Sequence, residues 1–388
     1  MKKVLLIVVT ILILGSIVMA GCTPAPAPAP EPTPPTEPDW TPPIPGMLKG
    51  EEDIKIEVEW GLPMPRENPP EGFDLTFTEY LYEKMTEKTG GRLTFTNVSK
   101  TTMGKIKEMA DLIGSGMIDM GFTPTGDYYP DLFPLSAIIL MPGWGVEDGV
   151  KNTALWTANC QHPLVETEFA RKNFRYLHGA PGTPMYMTIR KGKDPITSVA
   201  DLEGLQVRGF GYVSIWAEQL GMIPSFMPAS EAYEALQKGI IDASDFSMPG
   251  LLYKKVYEVV GQLIEPSIRV GGGGGMPAQI NLDTWNSMPQ YMKDLWAEAI
   301  PEAAAYGAKL NAVAIEAGRK AGADNGMKFV KLPPEETNKM LMAIGPAWEQ
   351  WVEDTEKQKN GEKIREYIKD SIATRNKITG EEWMIYQP

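Results

Sequence analysis

Apolar and polar residues alternate strictly through Ile54-Lys55-Ile56-Glu57-Val58-Glu59-Trp60, a period of two that predicts a strand with one buried face. The period then changes. Phe73, Phe77, Tyr80, Leu81 and Met85 recur at three- and four-residue intervals and Gly90-Gly91 closes the run, which predicts a helix. Arg92 to Val98 alternates again, and strand, helix, strand opens an α/β sheet. A further helix is expected from Gly104 to Ser115, ending at Gly116 where a left-handed cap is easiest, before a short strand Met117-Ile118-Asp119-Met120.

A second alternating unit starts at Tyr186-Met187-Thr188-Ile189-Arg190, and the segment from Asp201 leads into a strand that ends on Arg208. Helices are expected from Val213 to Leu220, stopped by Gly221, and from Ser230 to Lys238 with Ser230 as N-cap. Glu108, Ile113, Gly116, Ile118 and Asp119 match Glu231, Leu236, Gly239, Ile241 and Asp242 in type at a constant offset of 123 positions, which predicts two similar α/β halves. Ala278 to Leu282 reads as a strand. The helical tract from Gln290 to Ala321 is interrupted by Pro301, which kinks it or breaks it in two, and Pro289 sits at its first turn. A strand from Lys328 to Leu332 and helix from Pro334 onward complete the chain. The pentaglycine Gly271 to Gly275 is followed by Met276-Pro277 and a strand, whereas a phosphate-binding loop needs a helix start, so it reads as a flexible crossover or a close ligand approach.

The amino terminus sets the compartment. Lys2 and Lys3 precede an apolar run from Val4 to Val18 and then Met19-Ala20-Gly21-Cys22, a signal peptide over 1-21. Small residues before a cysteine resemble a bacterial lipobox, which makes Cys22 the lipidated first residue of the mature chain. Thr23 to Pro45 holds eleven prolines in twenty-three residues, too few apolar groups for a core, and residues 22-50 read as an extended tether. Without Lys2 and Lys3 the chain has 35 basic against 50 acidic residues, a charge of −15 that argues against nucleic acid as a partner. Cys160 is then the one remaining cysteine, so no intrachain disulfide is expected, and His162 and His178 lack zinc-site spacing. No metal or cofactor is expected. Neither a GxSxG elbow nor a nucleophile and base arrangement is present, and the pair Asp242 and Asp245 is equally what a solvated turn gives. A surface-tethered hydrolase and a scaffold or adhesion lipoprotein are the competing readings.

The ordered segments resemble the substrate-binding proteins of TRAP (tripartite ATP-independent periplasmic) transporters, the DctP-like family. The likeness runs through Glu87-Lys88-Thr89-Gly90-Gly91-Arg92-Leu93, Phe133-Pro134-Leu135 and Leu140-Met141-Pro142. It is strongest over Ser198-Val199-Ala200-Asp201-Leu202-Glu203-Gly204-Leu205-Gln206-Val207-Arg208, and it continues through Leu220 to Pro224, Tyr233 to Asp242 and Trp285 to Pro289. The resemblance implies an α/β, two-lobed periplasmic-binding-protein-like fold with a cleft between lobes, connecting strands and a long helix spanning both. Lobe I is expected over 51-185 and 274-313, lobe II over 186-273 and 314-388 with the C-terminal helices. It also implies capture of a small organic acid outside the cytoplasm and delivery to the small and large subunits of an ion-gradient-driven permease, with no catalysis.

Arg208 is the leading ligand residue, because a guanidinium at a strand's carboxyl end makes two parallel charge-assisted bonds to a carboxylate. Phe210 and Tyr212 follow it as cleft walls, and Trp216 is as well explained by core packing. Thr188 and Phe246 stand where sialic-acid-binding members of the family have a second arginine and an asparagine. That disfavours sialic acid and suggests a ligand with more apolar surface, unless Arg190 substitutes. Met64 with Pro65, Trp144, Asp245 and Gln279 are further cleft candidates by loop position.

Overall fold

The protein is described by a computed structural model over residues 41–61, 74–98, 106–123, 126, 129, 131–179, 181–209, 211–227, 230–270, 277–358 and 361–388. The signal peptide, Cys22, Met64, Pro65, Phe73, Phe210 and the pentaglycine lie outside the described residues. The strands are β1 (Ile56–Gly61), β2 (Leu93–Asn97), β3 (Met120–Phe122), β4 (Phe174–Gly179), β5 (Pro184–Arg190), β6 (Gln206–Gly209), β7 (Ile223–Phe226), β8 (Ala243–Ser247), β9 (Val260–Val270), β10 (Pro277–Asn281) and β11 (Lys328–Lys331). The α-helices are α1 (Asp74–Lys88), α2 (Met109–Gly114), α3 (Gly149–Cys160), α4 (Pro163–Ala170), α5 (Gly211–Gln219), α6 (Ala232–Lys238), α7 (Met248–Tyr253), α8 (Leu282–Ser287), α9 (Gln290–Asp324), α10 (Pro334–Met342), α11 (Gly345–Glu356) and α12 (Ile364–Thr379).

Two sheets form, in the orders β2-β1-β3-β10-β4 and β11-β9-β5-β8-β6-β7. β1 is parallel to β2 and β3, and β10 is antiparallel to β3 and β4. In the second sheet β6 is parallel to β7 and β8, and β5 is antiparallel to β8 and β9. β1 in the first half and β6 in the second thus each lie between an edge strand and a parallel third strand, with an antiparallel neighbour beyond. The chain crosses between sheets from β4 to β5 and returns from β9 to β10.

The sequence offset of 123 is a structural repeat. Gly116 and Gly239 both turn through the left-handed region, at φ +72° and +70°. The N–H groups of Met117 and Ile118 then donate to the Leu112 carbonyl, and those of Ile240 and Ile241 donate to Ala235. These bonds satisfy the last helical carbonyls, and they are why β3 begins at Met120 and not at Met117. Asp119 next donates its N–H to Glu59 and accepts from the Glu59 N–H at 2.8 Å, while Asp242 does the same with Gln206 at 3.2 Å. The helix expected from Ser230 starts two residues later. Its N-cap is Glu231, with no side-chain cap.

α9 runs unbroken for 35 residues with Pro301 inside it, and it holds both halves. Gly307 lies where a Cβ would strike Phe77 and Pro181, and Gly318 where one would strike the Met248 carbonyl. Asn311 donates to the Pro181 carbonyl in the first crossover at 2.7 Å, and Arg319 pairs with Glu265 of β9 at 2.6 Å. The C-terminal helices, expected with the second lobe, straddle the two. The indoles of Trp348 and Trp351 donate to the carbonyls of Pro142 and Pro134, and Tyr367 donates to Asn159, all on the first half. On the second half the Trp216 indole donates to Met340, which leaves its ring in the core. Within the expected tether, Ile44 and Met47 are buried, and Pro42–Pro388 forms one compact unit.

Candidate functional site

Residues 197–209 fold by local hydrogen bonding. The Asp201 carboxylate accepts from the N–H groups of Thr197 and Ser198, both at 2.8 Å, and holds a single 3-10 turn over Val199–Leu202. Gly204 reverses the chain at φ +75°, and β6 follows. At its end Gly209 lies where a Cβ would collide with Pro224 and Ser214, so the strand's last residue packs closely against β7 and α5.

Arg208 reaches the carboxyl end of the parallel strands with 13% of its side chain exposed. Its Nε donates to the Met227 carbonyl at 3.1 Å, just past β7, and Nη1 donates to Asp245 Oδ1 at 3.0 Å. Asp245 is 4% exposed. The pair is charge-assisted and largely removed from water, so removing either partner alone takes an opposite charge from the other. Lys254, at the end of α7, adds a second cation. It is exposed as a residue, yet desolvation of its ammonium lowers its pKa; Arg208's like charge lowers it further and Asp245 raises it.

The other candidates are dispersed. Thr188 pairs in register with Ser244, one residue from Asp245, and its hydroxyl donates to the Ser244 carbonyl at 2.8 Å. Arg190 belongs to the opposite end of β5, where it pairs with Asp242 at 2.9 Å beside Lys193 at 3.3 Å. Burial pushes the Asp242 carboxyl up, but hydrogen bonds from Arg190, the Gln206 N–H and Lys193 outweigh it and hold the pKa below the usual range. Asp242 and Asp245 are therefore bound to different guanidinium groups at different ends of the sheet. Tyr212 opens α5 half-buried; burial raises its phenol to about 12, and the charges of Asp354 and Asp131 add to the effect. Phe246 packs in a core cluster with its register partner Tyr186. Trp144 is fully buried among Trp348 and Trp383, at 5.3 Å from each. The Gln279 amide both accepts from the Thr123 N–H and donates to its carbonyl, at 3.0 Å each, extending the β3–β10 pairing by a side chain. A groove of about 370 Å³ lies apart, on the first half, where Arg175 and Lys293 stand 4.6 and 5.6 Å from the Trp285 ring.

The structure thus brings Arg208 and Asp245 together with Thr188 close by, and adds Met227 and Lys254, which pattern reading passed over. Lys254 carried one usable signal, a cation one short helix after the carboxyl end of β8.

The comparisons place this geometry among known proteins. The family model for bacterial extracellular solute-binding protein, family 7 (DctP) matches residues 67–355. The monocarboxylate 2-oxoacid-binding periplasmic protein of Nostoc is 24% identical over 234 residues, 58% of this chain and 61% of that protein. The C4-dicarboxylate-binding periplasmic protein DctP of Rhodobacter capsulatus is 24% identical over 241 residues, 56% of this chain and 70% of that one. A crystal structure of a TRAP periplasmic solute-binding protein from Desulfovibrio salexigens superposes with a TM-score of 0.68 at 22% identity, covering 85% of this chain and 98% of that one. It is an open complex with the C-terminus of a symmetry mate in its ligand-binding site. That likeness shows the fold, two lobes about a cleft. With the family model matched over most of its length, the chain belongs to the bacterial extracellular solute-binding proteins of family 7.

Proposed function

We propose that the protein captures a small organic acid in the cleft between its lobes, with the ligand's carboxylate on Arg208, and hands it to the small and large subunits of an ion-gradient-driven TRAP permease. It performs no chemistry on the ligand. On this reading Cys22 carries a lipid anchor in an extracytoplasmic membrane face, and the proline tether gives the body reach.

One observation carries the proposal: a guanidinium 13% exposed at the carboxyl end of parallel strands, held in place by a carbonyl and a carboxylate. Ligands of α/β sheets bind beyond the carboxyl ends of the strands, and a pre-positioned guanidinium loses little freedom on taking a carboxylate. The two relatives that bind carboxylates support the same ligand class.

The test is mass spectrometry of whatever co-purifies, followed by thermal shift against mono- and dicarboxylates, keto acids and aromatic acids. Ligand at a hundred times its Kd adds roughly 2.7 kcal/mol of stability. A flat response across the panel defeats the proposal, and product formed from a retained ligand supports the hydrolase instead.

A further inference from the structure

β1, β2 and β3 run in one direction, and β10 is antiparallel to both β3 and β4, so β4 runs the same way as those three. Arg175 is the second residue of β4, in register with Ile280 near the end of β10, and Trp285 lies on α8 directly after β10. The groove that these two residues share with α9 therefore opens at the amino ends of the strands, away from the carboxyl ends where ligands of α/β sheets sit. α9 starts at this end. Lys293 is in its first turn, and Ala297 and Ile300 follow on the same face at helical spacing.

The parts of the groove are held in place. Asn281 caps α8 by accepting from the N–H groups of Asp283 and Thr284, and its amide donates to the Ile113 carbonyl at 2.8 Å, which fixes the turn that carries Trp285. The Arg175 guanidinium stands 4.6 Å from the Trp285 ring and the Lys293 ammonium 5.6 Å from it. An indole attracts each cation and so gathers two like charges that would otherwise separate. Glu166 takes Nη2 of Arg175 at 2.8 Å, while Nη1 and the Lys293 ammonium have no hydrogen bond or ion pair among the described residues. Below the cations the floor is apolar, formed by the buried Leu177, Trp296 and Ile300 with Ala297 at the open side. The volume of about 370 Å³ falls within the range of small-molecule sites, roughly 300–1,000 Å³.

We propose that this groove is a second ligand site, for a carboxylate carried on a compact apolar body. The carboxylate lies between Arg175 and Lys293, where charge-assisted hydrogen bonds reach it from both sides. The body covers Leu177, Trp296, Ala297 and Ile300, and the area it removes from water supplies the rest of the affinity. The site is separate from capture at Arg208 and does not depend on it. Neither half of the ligand suffices, because the cations are partly solvated and the floor is small.

The experiment is NMR of the tryptophan indole N–H groups in the natural protein, with the Trp285 resonance identified by its absence in Trp285→Phe. Naphthoate and cyclohexanecarboxylate should move that resonance saturably. Naphthamide keeps the shape without the charge, acetate keeps the charge without the body, and each should bind at least tenfold more weakly. Lys293→Gln removes a cation, and Ala297→Phe fills the groove from an exposed position. Each should weaken naphthoate at least tenfold, and Arg208→Lys should leave it unchanged. No saturable shift at Trp285 overturns the site, as does naphthamide or acetate equal to naphthoate, or full affinity in either folded groove variant. Loss of the shift in Arg208→Lys also overturns it, by assigning the signal to the cleft. None of these results bears against capture at Arg208, which its own variants test.

Discussion

Glu168 on α4 is 2% exposed, and burial drives its carboxyl up to about 8, against weaker lowering by the Leu135 N–H, Arg171 and the Ser136 N–H. Its Oε1 accepts from Leu135 at 3.1 Å, and Oε2 has no partner among the described residues. The folded pKa therefore lies above the unfolded value of 4.5. Folding takes up a proton wherever the pH lies between the two, so stability is complete below 4.5 and declines as pH rises through 8. The decline is ~1.4 kcal/mol per pH step at full protonation difference. Between pH 5 and 8 the loss is therefore on the order of 3 kcal/mol, a large share of a typical folding free energy. Glu168→Gln keeps the shape and removes the titration. Urea unfolding of both proteins from pH 5 to 8.5 isolates the effect, because every other titrating group cancels in the difference between them. The natural protein should lose ~3 kcal/mol relative to the variant over that range. Parallel curves would refute the reasoning and mean that the carboxyl is already ionised in the fold.

His178 titrates in the opposite sense. It is fully buried among Phe77, Tyr82, Phe122 and Trp296, and burial lowers its pKa from 6.5 to about 3, so its contribution is present above 6.5 and lost as pH falls toward 3. His178→Phe should flatten the acid side of the stability profile, measured by thermal melts from pH 4 to 7. Arg190→Ala should cost ~1–2 kcal/mol through the half-buried Asp242 pair and leave ligand affinity unchanged, which separates the two ends of the sheet by calorimetry. Gly239→Ala should cost ~1 kcal/mol, because φ +70° is strained for a Cβ and the Arg190 guanidinium packs beside it. An unfolding midpoint equal to the natural protein's would contradict the left-handed cap.

The parts of the fold readable in sequence were those set by local rules. Period-two alternation located β1, β2 and β5, and the glycines at 116 and 239 marked a cap that geometry forces on the chain, so the internal repeat was visible at one offset. Nonlocal burial was not. Ile44 and Met47 are buried at the end of a proline-rich segment because the body covers them, a fact with no trace in their neighbours. The core burial of two aromatic candidates has a related cause: Phe246 lies in a strand whose residues are all buried, and Trp144 stands between two glycines, so no periodicity tells a core ring from a cleft ring. Arg208 was readable from its place at a strand end. Its partner Asp245 is 37 residues on, in a strand paired in parallel, and that distance put the pairing out of reach of pattern alone.

The same pairing alters how the anchor must be tested. Removing Arg208 alone takes a charged partner from the buried Asp245, a loss of ~3–5 kcal/mol that mixes folding with binding. Arg208→Lys keeps the charge without the two-pronged donor, and Arg208→Ala with Asp245→Asn removes both charges. Calorimetric titration of these two variants with the organic acid that co-purifies with the natural protein is the most direct measurement. Carboxylate capture by Arg208 predicts at least a hundredfold loss of affinity in both while the melting curves stay cooperative; affinity within a few-fold of the natural protein's in either folded variant would contradict it.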